Sequence, residues 1–264
     1  MRIDLYLSKN GFADSRQKAK GLLEKELVKL NGKIVTKSSQ EVLESDTVEV
    51  TGSALAYVGR GGLKLEGALV SFGFDPKGLV CADIGASTGG FTDCLLQNGA
   101  AKVYAVDAGH GQLHKKLQND PRVVNMENCN AKALDRSLIP EPINLAVMDL
   151  SFISQTLIYP ALTRILQNNS VLISLIKPQF EAGRSGIGKN GIVKDKKVHR
   201  HVIESILETA KVFHLHCMAL AVSPITGGDG NIEYLAKFVY TDACDAIDAV
   251  SKDHIHKIVF GDTK

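Results

Sequence analysis

The stretch Asp83–Asp93, DIGASTGGFTD, combines three glycines with one serine, two threonines and one phenylalanine. It follows the apolar run at 79–82 and precedes a segment whose apolar residues have helical spacing. In α/β domains, ligands bind where a strand ends and a helix begins, and glycines there let the backbone approach the ligand. The stretch therefore predicts a ligand cradle, although glycines can also relieve crowding between a helix and a strand.

Seven apolar segments beyond residue 62 indicate the fold around this cradle. They are LVCADIG (79–85), KVYAVD (102–107), VVNME (123–127), NLAVMDL (144–150), VLISLIK (171–177), HLHCMALAVS (214–223) and EYLAKFVY (233–240). Helical stretches separate most of them, and the early segments are almost continuously apolar. This pattern predicts an α/β, Rossmann-like, seven-stranded and mostly parallel sheet with helices on both faces.

The first fifty residues follow a different pattern. Asp14 or Ser15 can cap an amphipathic helix. The apolar face of this helix consists of Ala19, Leu22, Leu23 and Leu27. The segment VKLNGKIV (28–35) predicts a hairpin that turns at Asn31-Gly32, and DTVEV (46–50) supplies another strand. We expect a small α/β domain at 1–55, a linker at 56–62 and a larger domain at 63–264.

Positive charge is concentrated in two regions, although the net charge is only +2. Nine Lys/Arg stand against four Asp/Glu between Arg2 and Lys37, and seven stand against two in a glycine-rich segment between Lys177 and His201. Both regions predict contact with an RNA backbone. A solvated helix face or a mobile loop without a partner explains the same charges. The candidate RNA-binding residues are Arg2, Arg16, Lys18, Lys20, Lys33, Arg60, Arg184 and Lys189.

The ligand of the cradle is expected to be an adenosine compound without a phosphate chain. Asp107 lies 24 residues after Asp83, a spacing at which an acid commonly holds ribose hydroxyls. The sequence GASTGG at 85–90 departs from the dinucleotide fingerprint, and the chain has no phosphate-binding loop of the G-x-x-x-x-G-K-[ST] type. These observations favour S-adenosylmethionine as the cofactor.

Four charged residues lie where a catalytic centre is expected. Asp149 and Lys177 end two successive predicted strands, Lys64 opens the helix before the first strand, and Glu233 begins the last. Methyl transfer to a hydroxyl needs a positioned acceptor that loses its proton, and an uncharged lysine amine can assist. The two acids would orient the lysines. A lone lysine at a strand end is more commonly a solvent-facing cap.

Compartment and metal content follow from the remaining composition. The five cysteines, Cys81, Cys94, Cys129, Cys217 and Cys244, have no metal-ligand spacing, and their odd number cannot pair completely. No apolar run approaches the length of a membrane span. We expect a cytoplasmic protein without a metal and without a membrane partner.

The chain resembles the TlyA family, whose proteins are often labelled hemolysin A and are similar to FtsJ-type ribose 2′-O-methyltransferases. The resemblance rests on RIDLYL, SRQKAK and VKLNGKIVTK, which look like an S4-type RNA-binding module, and on YVGRGGLKLEGAL, DIGASTGGFTDCLL, VDAGHGQL, MDLSFIS, LIKPQFE, KNGIVKD and SPITGGDGNIEYL. Two departures are mild. Gly59 stands where the family often has serine, and Lys132 where it often has arginine.

The resemblance implies a class I methyltransferase that uses S-adenosylmethionine to methylate the 2′-hydroxyl of a cytidine in 16S or 23S ribosomal RNA within ribosomal subunits. The implied catalytic tetrad is Lys64, Asp149, Lys177 and Glu233. The candidate cofactor-binding residues are Asp83, Gly85, Ala86, Ser87, Thr88, Gly89, Gly90, Phe91, Asp107, Asn130 and Asp149, with Phe91 packing beneath the cradle.

Other classes of function make different demands on the sequence. A pore-forming hemolysin, suggested only by the family label, needs an amphipathic or spanning segment. A catalytically inactive RNA-binding protein would lack tetrad or cofactor residues. A pseudouridine synthase can carry the same N-terminal module but needs a catalytic aspartate in another sheet context.

Overall fold

The computed structural model describes residues 1–10, 12–13, 15–43, 45–50, 56–183, 186–188, 191–243 and 248–261. The chain divides into two compact units, Met1–Ala56 and Tyr57–Lys264. Each unit has its own hydrophobic core. Asp14, Arg184, Lys189 and Cys244 lie outside the described residues.

The smaller unit consists of two helices and a three-stranded antiparallel sheet. The helices are α1 (Ile3–Lys9) and α2 (Arg16–Glu24), and the strands are β1 (Val28–Leu30), β2 (Lys33–Ile34) and β3 (Val48–Val50), in the order β2-β1-β3. Asn31 and Gly32 both have positive φ, which confirms the predicted hairpin. The Ser15 hydroxyl accepts from Lys18 N and caps α2.

The larger unit is built on a seven-stranded sheet. Its strands are β4 (Val80–Ile84), β5 (Lys102–Val106), β6 (Val123–Met126), β7 (Ile143–Met148), β8 (Leu166–Ile176), β9 (Leu215–Val222) and β10 (Tyr234–Tyr240). The sheet order is β6-β5-β4-β7-β8-β10-β9, and β10 runs antiparallel to both of its neighbours. All seven predicted strands are therefore present, and the sheet is mostly parallel as expected.

Helices cover both faces of this sheet. They are α3 (Gly61–Phe72), α4 (Gly90–Gln97), α5 (Lys115–Gln118), α6 (Tyr159–Ile165), α7 (Pro178–Glu181), α8 (Lys196–Val212) and α9 (Lys252–Phe260). Neighbouring residues of β4 point into different cores, with Cys81 in the core under α3 and α4 and Ala82 in the core under α6 and α8. Among the described residues, no helix is both long enough and apolar enough to cross a membrane.

The antiparallel course of β10 determines where the last charged residue of the candidate site lies. Tyr234, the first residue of β10, pairs with Ile176, the last residue of β8. Glu233, which precedes β10, and Lys177, which follows β8, therefore lie at the same edge of the sheet. Asp149 follows β7, which is parallel to β8, so it reaches this edge too.

Residues 57–62, which the sequence places in a linker, are packed into the larger unit. Tyr57 is buried, and the N–H of Val58 donates to Asp93 Oδ2 at 2.9 Å. Helix α3 begins at Gly61 and carries Lys64 in its first turn. The aromatic ring of Tyr57 explains the difference, because the core formed by α3 and α4 accommodates it.

Candidate active site

A cavity of about 450 Å³ opens at the carboxyl ends of β4, β5 and β7. Its walls consist of Gly85, Ser87, Val106, Asp107, Ala108, Gln112, Cys129, Asn130, Ala131, Asp149, Leu150, Ser151, Phe152, Ile153 and Ile158. The volume lies in the range that small-molecule ligands occupy, about 300–1,000 Å³. Its position and size fit the predicted cradle.

Glycine is required at the first position of the cradle. Gly85 has a φ of +88°, and a Cβ there would lie 2.7 Å from the carbonyl oxygen of Asp149. A side chain would therefore force the ends of β4 and β7 apart and also adopt a strained backbone conformation.

Polar residues on the wall of this cavity are held in place by the backbone. Asp107 accepts the N–H groups of Ser87 (2.8 Å) and Gly109 (2.7 Å), one on each carboxylate oxygen. Asn130 accepts the N–H of Lys132 at 3.1 Å, which leaves its side-chain amide group free to donate into the cavity. Asp107 therefore stands with a fixed carboxylate in the place expected for a ribose ligand.

A smaller cavity of about 180 Å³ adjoins the first and reaches Lys177. Its walls consist of Gly61, Gly85, Ala86, Ser87, Thr88, Gly90, Phe91, Asp149, Ser151 and Lys177. Gly85, Ser87, Asp149 and Ser151 line both cavities. The smaller cavity thus lies between a ligand in the larger cavity and Lys177.

The predicted tetrad forms two ion pairs. Lys177 Nζ lies 2.5 Å from Asp149 Oδ1 and donates to Ser151 Oγ at 3.0 Å. Lys64 Nζ donates to Glu233 Oε2 at 2.6 Å. The lysine side chains are each 10% exposed, and Glu233 is 2% exposed, so both pairs are largely withdrawn from water. The structure thus brings the four residues together at one sheet edge.

Two predicted cofactor residues line neither cavity. Gly89 forms the turn before α4, and Asp83 is fully buried. The Thr92 hydroxyl donates to Asp83 Oδ2 at 2.6 Å, and burial raises the pKa of this carboxyl to about 7. Asp83 therefore lies behind the lining of both cavities, and its Oδ1 has no hydrogen-bond partner among the described residues. Phe91 is 3% exposed and lies beneath the smaller cavity.

Three residues at the site were missed by sequence reasoning. Ser151 contacts Lys177, and Gln179 Nε2 donates to Glu233 Oε1 at 3.1 Å. Phe152 is 91% exposed, has a φ of +64°, and its ring centroid lies 4.9 Å from that of Phe180. The motifs MDLSF and KPQF contain all three, but only the fold shows what they contact.

The departure at Gly59 has a structural counterpart in the cradle. A Cβ at Gly59 would lie 2.7 Å from Thr88 Oγ1. Serine at this position would require Thr88 to change its rotamer, so the substitution affects the wall of the smaller cavity as well as the segment before α3.

The glycine-rich segment after Lys177 is partly anchored. Asn231 accepts from Val193 N at 3.0 Å and donates to Gly191 O at 3.1 Å. His199 Nε2 donates to the carbonyl oxygen of Val193 at 2.9 Å, which leaves its Nδ1 to accept from the Tyr234 hydroxyl at 2.9 Å. These bonds connect residues 191–193 to the segment before β10 and to α8.

The candidate RNA-binding residues of the smaller unit include an organised arginine pair. Arg2 and Arg16 both contact the buried carboxylate of Asp4, at 3.1 and 2.7 Å, and their side chains are 49% and 54% exposed. The Arg16 guanidinium in particular lowers the pKa of Asp4 to about 2. The other described candidates of this unit are Lys18 and Lys20 on α2 and Lys33 in β2, whereas Arg60 precedes α3 in the larger unit.

Each of the two units matches a known protein family. The FtsJ-like methyltransferase family matches residues 57–240, and the S4 domain family matches residues 1–48. Hemolysin A of Brachyspira hyodysenteriae is 42% identical over 240 residues, which are 90% of this chain and 100% of that protein.

Two further relatives match almost the whole chain. The 16S/23S rRNA (cytidine-2'-O)-methyltransferase TlyA of Mycobacterium tuberculosis is 38% identical over 260 residues, 98% of this chain and 97% of that protein. A solved structure described as a hemolysin, from Streptococcus thermophilus, has 41% identity and a TM-score of 0.75 and covers 98% of this chain and 94% of its own. The chain therefore belongs to the TlyA/hemolysin A family, with an N-terminal S4 domain followed by an FtsJ-like methyltransferase domain.

Proposed function

We propose that the chain transfers a methyl group from S-adenosylmethionine to the 2′-hydroxyl of a cytidine in the ribosomal RNA of the small subunit, the large subunit or both. The observation that carries this proposal is the adjacency of a nucleoside-sized cavity to the Lys177–Asp149 pair. The activity named for the Mycobacterium tuberculosis relative supports the choice of ribosomal cytidine.

The residues of the larger cavity suit this methyl donor. S-adenosylmethionine supplies an electrophilic methyl group on a positively charged sulfur. The carboxylate of Asp107 would hold ribose hydroxyls, the amide of Asn130 would donate to the base, and Gly85 leaves the backbone bare where the ligand passes toward Asp149. Ala86, Ser87, Thr88 and Gly90 would complete the cradle.

Lys177 would act on the acceptor hydroxyl. Its ammonium group is fixed by Asp149 and Ser151 and lines the smaller cavity. An oriented cation there would bind the acceptor oxygen and stabilise the negative charge that develops as the hydroxyl proton passes to water. The new O–CH3 bond would form as the S–CH3 bond breaks, which would leave S-adenosylhomocysteine to depart. Lys64 and Glu233 would complete the charged environment as a second, neighbouring pair.

The exposed ring of Phe152 favours a nucleic-acid acceptor. Phe152 lines the larger cavity and is 91% exposed. In the free protein its ring therefore contributes little to stability through burial, which suggests a role in binding. Aromatic rings bind unstacked bases by stacking, which is the usual mode of recognition of single-stranded RNA. Phe152 would thus hold the target base.

The S4 domain would supply affinity for the RNA backbone. Asp4 holds the guanidinium groups of Arg2 and Arg16 at the surface, an arrangement that suits binding of phosphate oxygens. Lys18, Lys20, Lys33 and Arg60 would add contacts, as would Arg184 and Lys189, which lie outside the described residues. The same proposal includes an RNA-binding domain at 1–55, a methyltransferase domain that begins at Tyr57 and not at 63, and action in the cytoplasm.

Labelled methyl incorporation tests the proposal. Ribosomal subunits that lack the modification are incubated with the protein and S-adenosylmethionine labelled in its methyl group. We expect incorporation into RNA by the wild type and loss of at least about a hundredfold in Lys177→Ala. Lys115→Ala, on the short helix α5, is a matched control that should retain activity. Equal incorporation by wild type and Lys177→Ala would contradict the role of the lysine.

A further inference from the structure

Gln179 connects the two ion pairs of the catalytic site. It lies two residues after Lys177, in the first turn of α7, and its Nε2 donates to Glu233 Oε1 at 3.1 Å. The other oxygen of Glu233 accepts from Lys64. The segment 177–179 therefore contributes Lys177 to one ion pair and a hydrogen-bond donor, Gln179, to the acid of the other. Pro178, between them, limits the freedom of the backbone.

The amide of Gln179 has only one orientation that suits Glu233. A carboxylate accepts hydrogen bonds, so the nitrogen of the amide must face it. The opposite atom, Gln179 Oε1, is then buried and has no hydrogen-bond partner among the described residues. A buried unsatisfied acceptor costs about 1–3 kcal/mol, which indicates that stability alone does not account for a glutamine here.

The space around this contact is tight. A Cβ added to Gly227 would lie 2.7 Å from Glu233 Oε1, the oxygen that Gln179 holds, and 3.6 Å from Gln179 Nε2. The turn before β10 therefore packs closely against the carboxylate, and even a methyl group at position 227 would have to displace Glu233 Oε1.

We propose that Gln179 is a positioning residue that holds the Glu233 carboxylate between Lys64 and Lys177, so that the two ion pairs act as one charged site. This inference rests on the proposed methyl transfer. Without the amide, Glu233 keeps one of its two side-chain partners and can rotate, and Lys64 moves with it. Misplacement of a catalytic group by about 1 Å can lower a rate by about a hundredfold.

Three substitutions test the role by kinetics. Gln179→Met keeps the shape and removes the donor, and we expect kcat to fall by about tenfold to a hundredfold, with KM for RNA and affinity for S-adenosylmethionine within about twofold. Gly227→Ala displaces the same carboxylate by another route and should show the same change. Gln118→Met, which removes a glutamine bond to the backbone of Leu113, is the control. Wild-type kcat in Gln179→Met would overturn the proposal.

The pH dependence of kcat in Gln179→Glu distinguishes a positioning role from a role in packing. When protonated, the new carboxyl can donate to Glu233 as the amide does, and when ionised it repels Glu233. The ratio of variant to wild-type kcat should therefore fall by at least about tenfold as pH rises from about 6 to about 9. A ratio independent of pH would contradict the inference.

A measurement on the protein without RNA separates this inference from the proposed function. Carbon NMR of labelled glutamate side chains should show that the added carboxyl of Gln179→Glu binds its proton about two pH units above an ordinary glutamate. The carboxyl of Gln118→Glu should titrate normally. Normal titration in both variants would refute the contact between residues 179 and 233, whereas a raised titration with no methylation by the wild type would refute only the proposed function.

Discussion

The ion pair between Lys64 and Glu233 gives a quantitative prediction about stability and activity together. The two charged atoms lie 2.6 Å apart, and the side chains are 10% and 2% exposed. At an effective dielectric constant of about 20 their attraction is about 6 kcal/mol before the cost of desolvation. Removing one partner leaves the other charge buried and unpaired, which typically costs about 3–5 kcal/mol.

We therefore expect Lys64→Met and Glu233→Leu each to destabilise the larger unit by about 3–5 kcal/mol and to lower its Tm by about 6–20 °C. The double variant should lie only about 1–2 kcal/mol below wild type, because it buries no charge and leaves only the amide of Gln179 without its partner. All three proteins should fail to methylate RNA. Thermal and urea unfolding measure the stabilities.

The double-mutant cycle separates this explanation from a purely local packing effect. Losses that simply add in the double variant would show that the pair is not coupled. A single variant within about 1 kcal/mol of wild type would show that the pair is more solvated than its exposure indicates. Recovery of methylation along with stability would refute the catalytic role of the pair.

Three further predictions test other parts of the site. Gly85→Ala should lower affinity for S-adenosylmethionine by at least about tenfold in calorimetry, because its Cβ would meet Asp149 O at 2.7 Å, whereas Gly73→Ala, with positive φ and open space, should leave it unchanged. Phe152→Ala should raise KM for RNA about tenfold or more, with Phe152→Tyr close to wild type; an unchanged KM would exclude stacking. The lowered pKa of Asp4, about 2 against 3.8, stabilises the fold above about pH 4, and this contribution disappears as pH falls toward 2. Asp4→Asn should therefore be less stable at pH 7 by about 1–2 kcal/mol, discounted for the exposed arginines, with no difference near pH 2; a constant difference in acid titrations would contradict the ion-pair origin.

The architecture was predictable because its signals are local. The strands of the larger sheet are mostly apolar runs of four to eleven residues, and Asn31-Gly32 specifies its own turn. The position of Asp149 and Lys177 at one edge follows from parallel strands alone. Helix α1 was missed because it has only seven residues and buries only Ile3 and Leu7 of its apolar side chains.

The contacts within the site depend on distant parts of the chain and could not be read from the sequence. The choice of partner for each lysine depends on the antiparallel register of β10 against β8, which brings Glu233 next to α3 and α7. The complete burial of the Asp83 side chain could not be read from its position in the motif. The burial of Tyr57 depends on the packing of α3 against α4, which no local pattern encodes.

The most direct test of the account is to locate the transferred methyl group. After reaction with labelled S-adenosylmethionine, RNA from each ribosomal subunit is digested to nucleosides and analysed by mass spectrometry. We expect label on the 2′-oxygen of cytidine in one or both RNAs, and at least about a hundredfold less of it from Lys177→Ala. Label on a base, label on other nucleosides, or none from the wild type would contradict the proposed reaction.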